Sequence, residues 1–267
     1  MTTKKQNEES EQVPALWTPS KFSGSDLLPI AMADGVDEVD SVGRENIDAA
    51  DLILPTLSLL QGMSEAVTGG VDGAKPGHFC HSGTGEVFAP PLRVLLCAHY
   101  RSRALFPKDD KPEHAGLEVC ISRDGVNGTR YGSCDDCEHT QWGERNAPPA
   151  CSESHNFVAI TPNGPAVLRF ARTNFKTARQ FLTTWTMSPK TLWSHPVVLT
   201  VKTNTKDVKG KKATYFTMDM RWTQQEAVPP AMQAAARAIN AQVMAAHEQG
   251  RFGTTDDERS DDLPSGL

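Results

Sequence analysis

Four of the six cysteines, Cys120, Cys134, Cys137 and Cys151, follow the spacing C-x13-C-x2-C-x13-C, with the middle pair as CDDC. A C-x2-C step bends the backbone so that two thiolates can grip one ion, and two flanking cysteines can complete a tetrahedron, which is the ligand set zinc prefers. The intervening segment, RDGVNGTRYGSCDDCEHTQWGERNAPPA, is rich in Gly, Asp and Asn. It has too little apolar matter to hold itself folded, and a bound ion would supply that stability because binding energy becomes folding energy. The expected role is structural. Four thiolates leave no open position for a catalytic water, and CDDC has no H-x-E partner of the deaminase kind. His139 or His155 is the alternative to one of the outer cysteines. Disulfides or free thiols are the competing readings, and disulfides need an oxidising compartment. The first residues, MTTKKQNEESEQ, contain no apolar core of a signal peptide. No run of about 18 apolar residues suggests a membrane span, so a cytoplasmic location is expected. Cys80 in HFCHS and Cys97 in VLLCAHY read as small core hydrophobes.

The elements that must carry this segment read as hairpins. LILPTLSLLQ (52–61) is broken for a helix by Pro55 and alternates as a half-buried strand. GHFCHS and EVFAP flank a Gly83-Thr84-Gly85 turn. PLRVLLCAHYRSRALFP (91–107) is the longest strand candidate. After the cysteine segment, about 117–152, NFVAI (156–160) and AVLRFA (166–171) flank Pro162-Asn163-Gly164. Thr173 or Asn174 is placed to cap a helix through about Trp185, with Phe175, Ala178, Phe181 and Leu182 on its core face. HPVVLTVKT (195–203) and ATYFTMDMRW (213–222) form a third hairpin around a lysine-rich loop with Gly210. Pro229 and Pro230 open a last helix that Gly250 ends. Strands in hairpins, without regular strand–helix alternation, exclude a doubly wound sheet. They predict a mainly β (α+β) fold: an antiparallel barrel of the OB type built from hairpins, with an inserted four-cysteine zinc segment and two appended helices.

Charge divides the chain of 267 residues in three. Residues 1–51 carry a net −7, residues 253–267 a net −4, and the body between them +5. Residues 1–45 read as a disordered or loosely docked acidic segment, 46–252 as the folded domain, and 253–267 as a disordered acidic tail. A basic body expects an anionic partner. No phosphate loop G-x-x-x-x-G-K-[ST] and no G-x-S-x-G elbow are present, and the scattered carboxylates suggest no general acid–base pair, so no enzymatic activity is expected. Binding of single strands needs cations interleaved with aromatic faces. The candidates are Tyr100, Arg101, Arg103 and Lys108; Arg169, Arg172 and Lys176; and Lys202, Lys209, Lys211, Lys212 and Tyr215. Arg101 and Arg103 share one strand face.

The tail runs through Asp256, Asp257, Glu258, Asp261 and Asp262 to Leu263 and Leu267. An acidic run closing on an apolar residue, together with the cysteine cluster, resembles the phage-type single-stranded-DNA-binding proteins over roughly residues 50–267. The resemblance implies an OB barrel with a zinc-bound insertion, Cys120, Cys134, Cys137 and Cys151 as the ligands, and a tail that engages replication or recombination proteins. It implies a coat on single-stranded DNA, with homo-oligomer formation open and a host-cell cytoplasmic location. Leu267 stands where such tails usually end in phenylalanine, and a histidine is replaced by cysteine in the ligand set. A zinc-ribbon adaptor for protein or duplex DNA, and a metal-dependent nuclease, are the rival expectations.

Overall fold

The computed structural model describes residues 54–107, 114, 116–208, 210–223 and 228–248. The acidic N-terminal segment, Lys108, Lys209 and every tail residue named above lie outside them. The described chain is mainly β, with antiparallel sheets and few helices, as the hairpin pattern predicts. Strands β1 (Leu57–Leu59), β2 (Phe79–His81) and β3 (Val87–Phe88) form a small sheet, with α1 (Glu65–Thr68) between the first two. The main sheet contains β4 (Leu92–Leu105), β8 (Ser152–Thr161), β9 (Gly164–Ala171), β10 (Val197–Val208) and β11 (Lys211–Trp222), in the order β11-β10-β4-β8-β9. Strand β5 (Cys120–Ser122) pairs with the far end of β4, and β6 (Asn127–Gly128) with β7 (Gly132–Ser133). Helices α2 (Phe175–Thr186) and α3 (Pro230–Glu248) complete the fold. Gly164 and Gly210 take φ of 108° and 76° at the two tight turns, a conformation costly for other residues.

Strand β4 is apolar on both faces. Leu92, Val94 and Leu96 enter one core with Phe157, Leu168, Phe170, Val197, Leu199 and Met220, over which α2 lays Ala178 and Phe181. Leu95, Cys97, Ala98 and Tyr100 enter a second core, with Val158, Ile160 and Val167, under Met232, Ala236, Ile239 and Val243 of α3. Two buried faces explain the unbroken VLLCA run where a half-exposed strand would alternate. Cys97 is the buried small hydrophobe expected, whereas Cys80 is half-buried. Between Leu96 and Ala98 the register with β8 slips by one residue. The side-chain amide of Asn240 on α3 donates to the Cys97 carbonyl at that bulge (2.9 Å).

Among the described residues no continuous ladder closes the main sheet into a barrel. The segment around β1 instead reaches both edges. Thr56 bridges Val167 of β9 in parallel, and the Val167 N–H donates to Pro55 O (2.8 Å). At the opposite edge, the Gln61 amide donates to Phe216 O (3.0 Å) and accepts from Phe216 N–H (2.9 Å). Its two bonds imitate one rung of a missing strand. Farther along β11, the Met218 N–H donates to Asn174 Oδ1 (2.9 Å), and Thr177 Oγ1 donates to Met218 O (3.2 Å). Asn174 therefore seals a sheet edge instead of capping α2, which begins after a 3-10 turn at Arg172–Asn174. Side chains here blunt an edge that would otherwise template association.

Replacing Gln61 by Leu should leave the Phe216 amide and carbonyl unpaired. The expected loss is about 1–3 kcal/mol in urea unfolding, with concentration-dependent self-association in sedimentation velocity. Unchanged stability and a monomer at all concentrations would contradict this role.

Candidate metal centre and cationic surfaces

The end of β4 positions the cysteine segment. Leu105 pairs with Cys120 and Arg103 with Ser122. The chain then turns around Asp124, whose carboxylate accepts from the N–H groups of Val126 and Asn127 (2.8 Å each) and from the Ser122 hydroxyl (2.8 Å). Slight burial raises the Asp124 pKa, but these bonds outweigh it and bring it down to about 2. The β6–β7 hairpin returns the chain to Cys134, whose N–H donates to Val126 O (2.7 Å). A 3-10 turn at Glu138–Thr140 follows Cys137. Its Thr140 hydroxyl lies 3.0 Å from Cys134 O and 2.7 Å from Cys137 O, holding the CDDC bend. The Cys151 N–H donates to His139 O (2.9 Å) as the chain enters β8.

These constraints bring Cys120, Cys134, Cys137, Cys151 and His139 to the wall of one cavity of about 10 Å³, room for about one water-sized group. A Cβ on Gly128 would lie 2.7 Å from Cys120 Sγ and 4.0 Å from Cys134 Sγ, so two of the sulfurs approach one point. The Arg130 N–H points at Cys120 Sγ (3.4 Å). Burial, and next the nearby Cys134, push the Cys151 thiol up to about 11. None of the six cysteines is in a disulfide. Among the described residues no three His, Cys, Asp or Glu side chains stand in a ready metal-holding arrangement; the thiols converge without forming a closed ligand shell.

His155 does not line this cavity. It lies on β8, 3.0 Å from His99 Nε2 through Nδ1, with its ring stacked on Phe175 at 4.7 Å. Burial is the main force holding His99 down to about 4, helped by the neighbouring His155, Arg101 and His247. The alternation of β4 placed His99 on the face of Arg101, but nothing in the sequence named its cross-strand partner.

The candidate nucleic-acid residues are dispersed. Arg101 and Arg103 do share a face, opposite His155 and Glu153 respectively. Arg101 is exposed and pairs with Glu153 (3.3 Å). The Arg103 side chain is only 14% exposed and donates to Cys134 O (3.0 Å), so it braces the cysteine segment. Tyr100 is 5% exposed and packs its ring on His247 of α3 (5.2 Å). Arg169 is half-buried and donates to Ser154 Oγ (3.1 Å). Arg172, at φ 49°, and Lys176 are exposed where α2 begins. Lys202 is exposed and pairs with Asp219 (2.8 Å). Lys211 and Lys212 are exposed on β11, and Tyr215 is half-buried. Sequence reading passed over Arg221, which shares Asp219 with Lys202 (3.0 Å); the D-x-R step on a predicted strand was its only signal.

Unfolded His99 takes up a proton near its ordinary value of 6.5, while the folded residue stays neutral down to about 4. The unfolded state therefore binds more protons in that window, and stability falls as pH drops through it. The melting temperature of His99→Gln should fall less between pH 7 and pH 5 than that of the wild type. Parallel pH profiles would show that this histidine is not responsible.

Residues 23–249 match the family model described as Pam3 phage gp34-like protein. Neither a curated protein nor a solved structure matches the chain. No helix among the described residues is long and apolar enough to cross a membrane.

Proposed function

The chain belongs to the Pam3 phage gp34-like family, and on that premise we propose that it is a non-catalytic protein that coats single-stranded DNA in phage replication or recombination. The observation that carries this reading is topological. Five strands lie in the order β11-β10-β4-β8-β9, with a helix between the third and fourth in sequence and the cysteine segment between the first and second. That arrangement fits a partly open OB-type barrel whose seam is spanned by the β1 segment. Barrels of this kind bind oligonucleotides through outward strand faces and the loops after their first and fourth strands. The cysteine segment occupies one such loop, and the basic β10–β11 turn the other.

In this reading one Zn²⁺ is held by Cys120, Cys134, Cys137 and Cys151 and stiffens the loop. The presence of all four cysteines on the wall of one small cavity supports it, as does the chemistry of the set. Tyr100 leaves the set of proposed contacts because it is buried under α3, and Arg103 serves the cysteine segment. The acidic tail competes for the cationic surface until DNA displaces it, and then recruits replication or recombination proteins. The protein acts in the host cytoplasm.

Fluorescence anisotropy with labelled oligo(dT) tests the reading. With about four to six phosphates neutralised, log K should fall against log salt with a slope of about −3 to −4. No binding of single strands at low salt would overturn it, a preference for duplex would favour the adaptor, and metal-dependent degradation would reveal a nuclease.

Protein purified without added metal should carry about one zinc per chain by elemental mass spectrometry. Cys134→Ser should lose the metal and destabilise residues 117–152. Gly128→Ala should lower metal retention by intruding on Cys120 Sγ. Metal-free wild-type protein that keeps the segment protected from protease would remove the zinc from this reading.

A further inference from the structure

The cover that α3 places over the sheet constrains where a strand of nucleic acid can lie. Its residues Met232, Ala236, Ile239 and Val243 bury the outward face of β4, β8 and β9 at Leu95, Ala98, Val158, Ile160 and Val167. This is the strand face that open OB-type barrels offer to oligonucleotides. The outward face of the β10–β11 hairpin carries none of these contacts. Its pairing with β4 stops at Leu199, opposite Leu92. The ladder from Thr200 opposite Asp219 to Val208 opposite Lys211 runs on without β4, over a length of about 30 Å.

Cross-strand register sorts this ladder into two faces. Val201 opposite Met218 and Leu199 opposite Met220 turn inward to the core. The pairs Val198–Arg221, Thr200–Asp219, Lys202–Thr217, Asn204–Tyr215 and Lys206–Ala213 turn outward, and Lys211 follows on the same face of β11. Asp219 engages Lys202 and Arg221 near the base of the hairpin. Lys206 and Lys211, nearer its tip, are exposed, and neither forms an ion pair among the described residues. Tyr215 is half-buried on this face, opposite Asn204 and between Ala213 and Thr217. An aromatic residue with part of its surface open to solvent, set between exposed cations, is the combination that single strands stack upon.

We propose that single-stranded nucleic acid runs along the outward face of the β10–β11 hairpin, held by Lys206 and Lys211 with a base on Tyr215, and not across β4, β8 and β9. This rests on the single-strand reading above and assigns its path. Anisotropy with labelled oligo(dT) on the full chain tests it, using Lys206→Ala/Lys211→Ala, Tyr215→Ala and Tyr215→Phe. Lys75→Ala/Arg237→Ala, exposed and off the outward hairpin face, is the charge-matched control. The hairpin double variant should weaken binding and reduce the salt slope by about 1.4. Tyr215→Ala should lose about 5- to 150-fold, and Tyr215→Phe should retain affinity. The control should stay within about twofold of wild type, and all variants should melt with the wild type since these side chains bear little of the core. If the wild type binds and the hairpin variants match the control, this path is wrong while the single-strand reading stands. If the wild type binds no single strand, both fall.

Discussion

Strand β4 is enclosed on both faces, and the rest of the structure depends on that enclosure. Strand β8 pairs along it from Leu95 to Ala104, β10 pairs at Leu92–Val94 and β5 at Arg103–Leu105, the core under α2 lies on one face, and α3 covers the other. Each side chain of the run Val94–Ala98 therefore loses its water whichever way it points, and full burial of a large aliphatic side chain contributes roughly 1.5–3 kcal/mol. A strand so enclosed has no freedom of register, because a slip by one residue would exchange the two cores. The bulge at Cys97 then fixes which residues beyond it face which way. It sets His99, Arg101, Arg103 and Leu105 on the inward side, and β5 and the cysteine segment attach at that end of the strand.

The cysteine segment borrows its order from this strand. Apart from Cys120, Ser122 and Cys134, its side chains are largely exposed or half-buried. What shapes it is polar: the Asp124 turn, the Thr140 hydroxyl across the CDDC bend, and Arg103 reaching from β4 to Cys134 O. Hydrogen bonds of this kind contribute about 0.5–1.5 kcal/mol each, too little on their own to hold roughly thirty residues against chain entropy. Beside these bonds, Cys120, Cys134, Cys137 and Cys151 line one small cavity.

Much of the scaffold was legible in the chain because its signals are local. Glycines at the turns marked two hairpins of the main sheet, and Phe175, Ala178 and Phe181 marked the face of α2. What escaped was set by tertiary partners. Tyr100 sits among arginines in sequence and looked available, yet α3, far downstream in the chain, covers it. Arg103 looked like a free cation but is turned to a carbonyl of the inserted loop. Asn174 had the signature of a helix cap and went to a strand edge instead. The stretch 52–61 reads as one strand, but among its described residues only Leu57–Leu59 form a ladder, because Thr56 and Gln61 on either side of it reach across to the edges of the main sheet.

The grip of Asn240 on the Cys97 carbonyl has a consequence for how α3 can move. That carbonyl belongs to the residue skipped by the register with β8, between Leu96 and Ala98. It acts as an indexing pin: a helix shifted by a full turn, about 5.4 Å, would miss it and strand the carbonyl under an apolar lid. Any displacement of α3 along its axis therefore has to give up this bond as well as the apolar contacts beneath it.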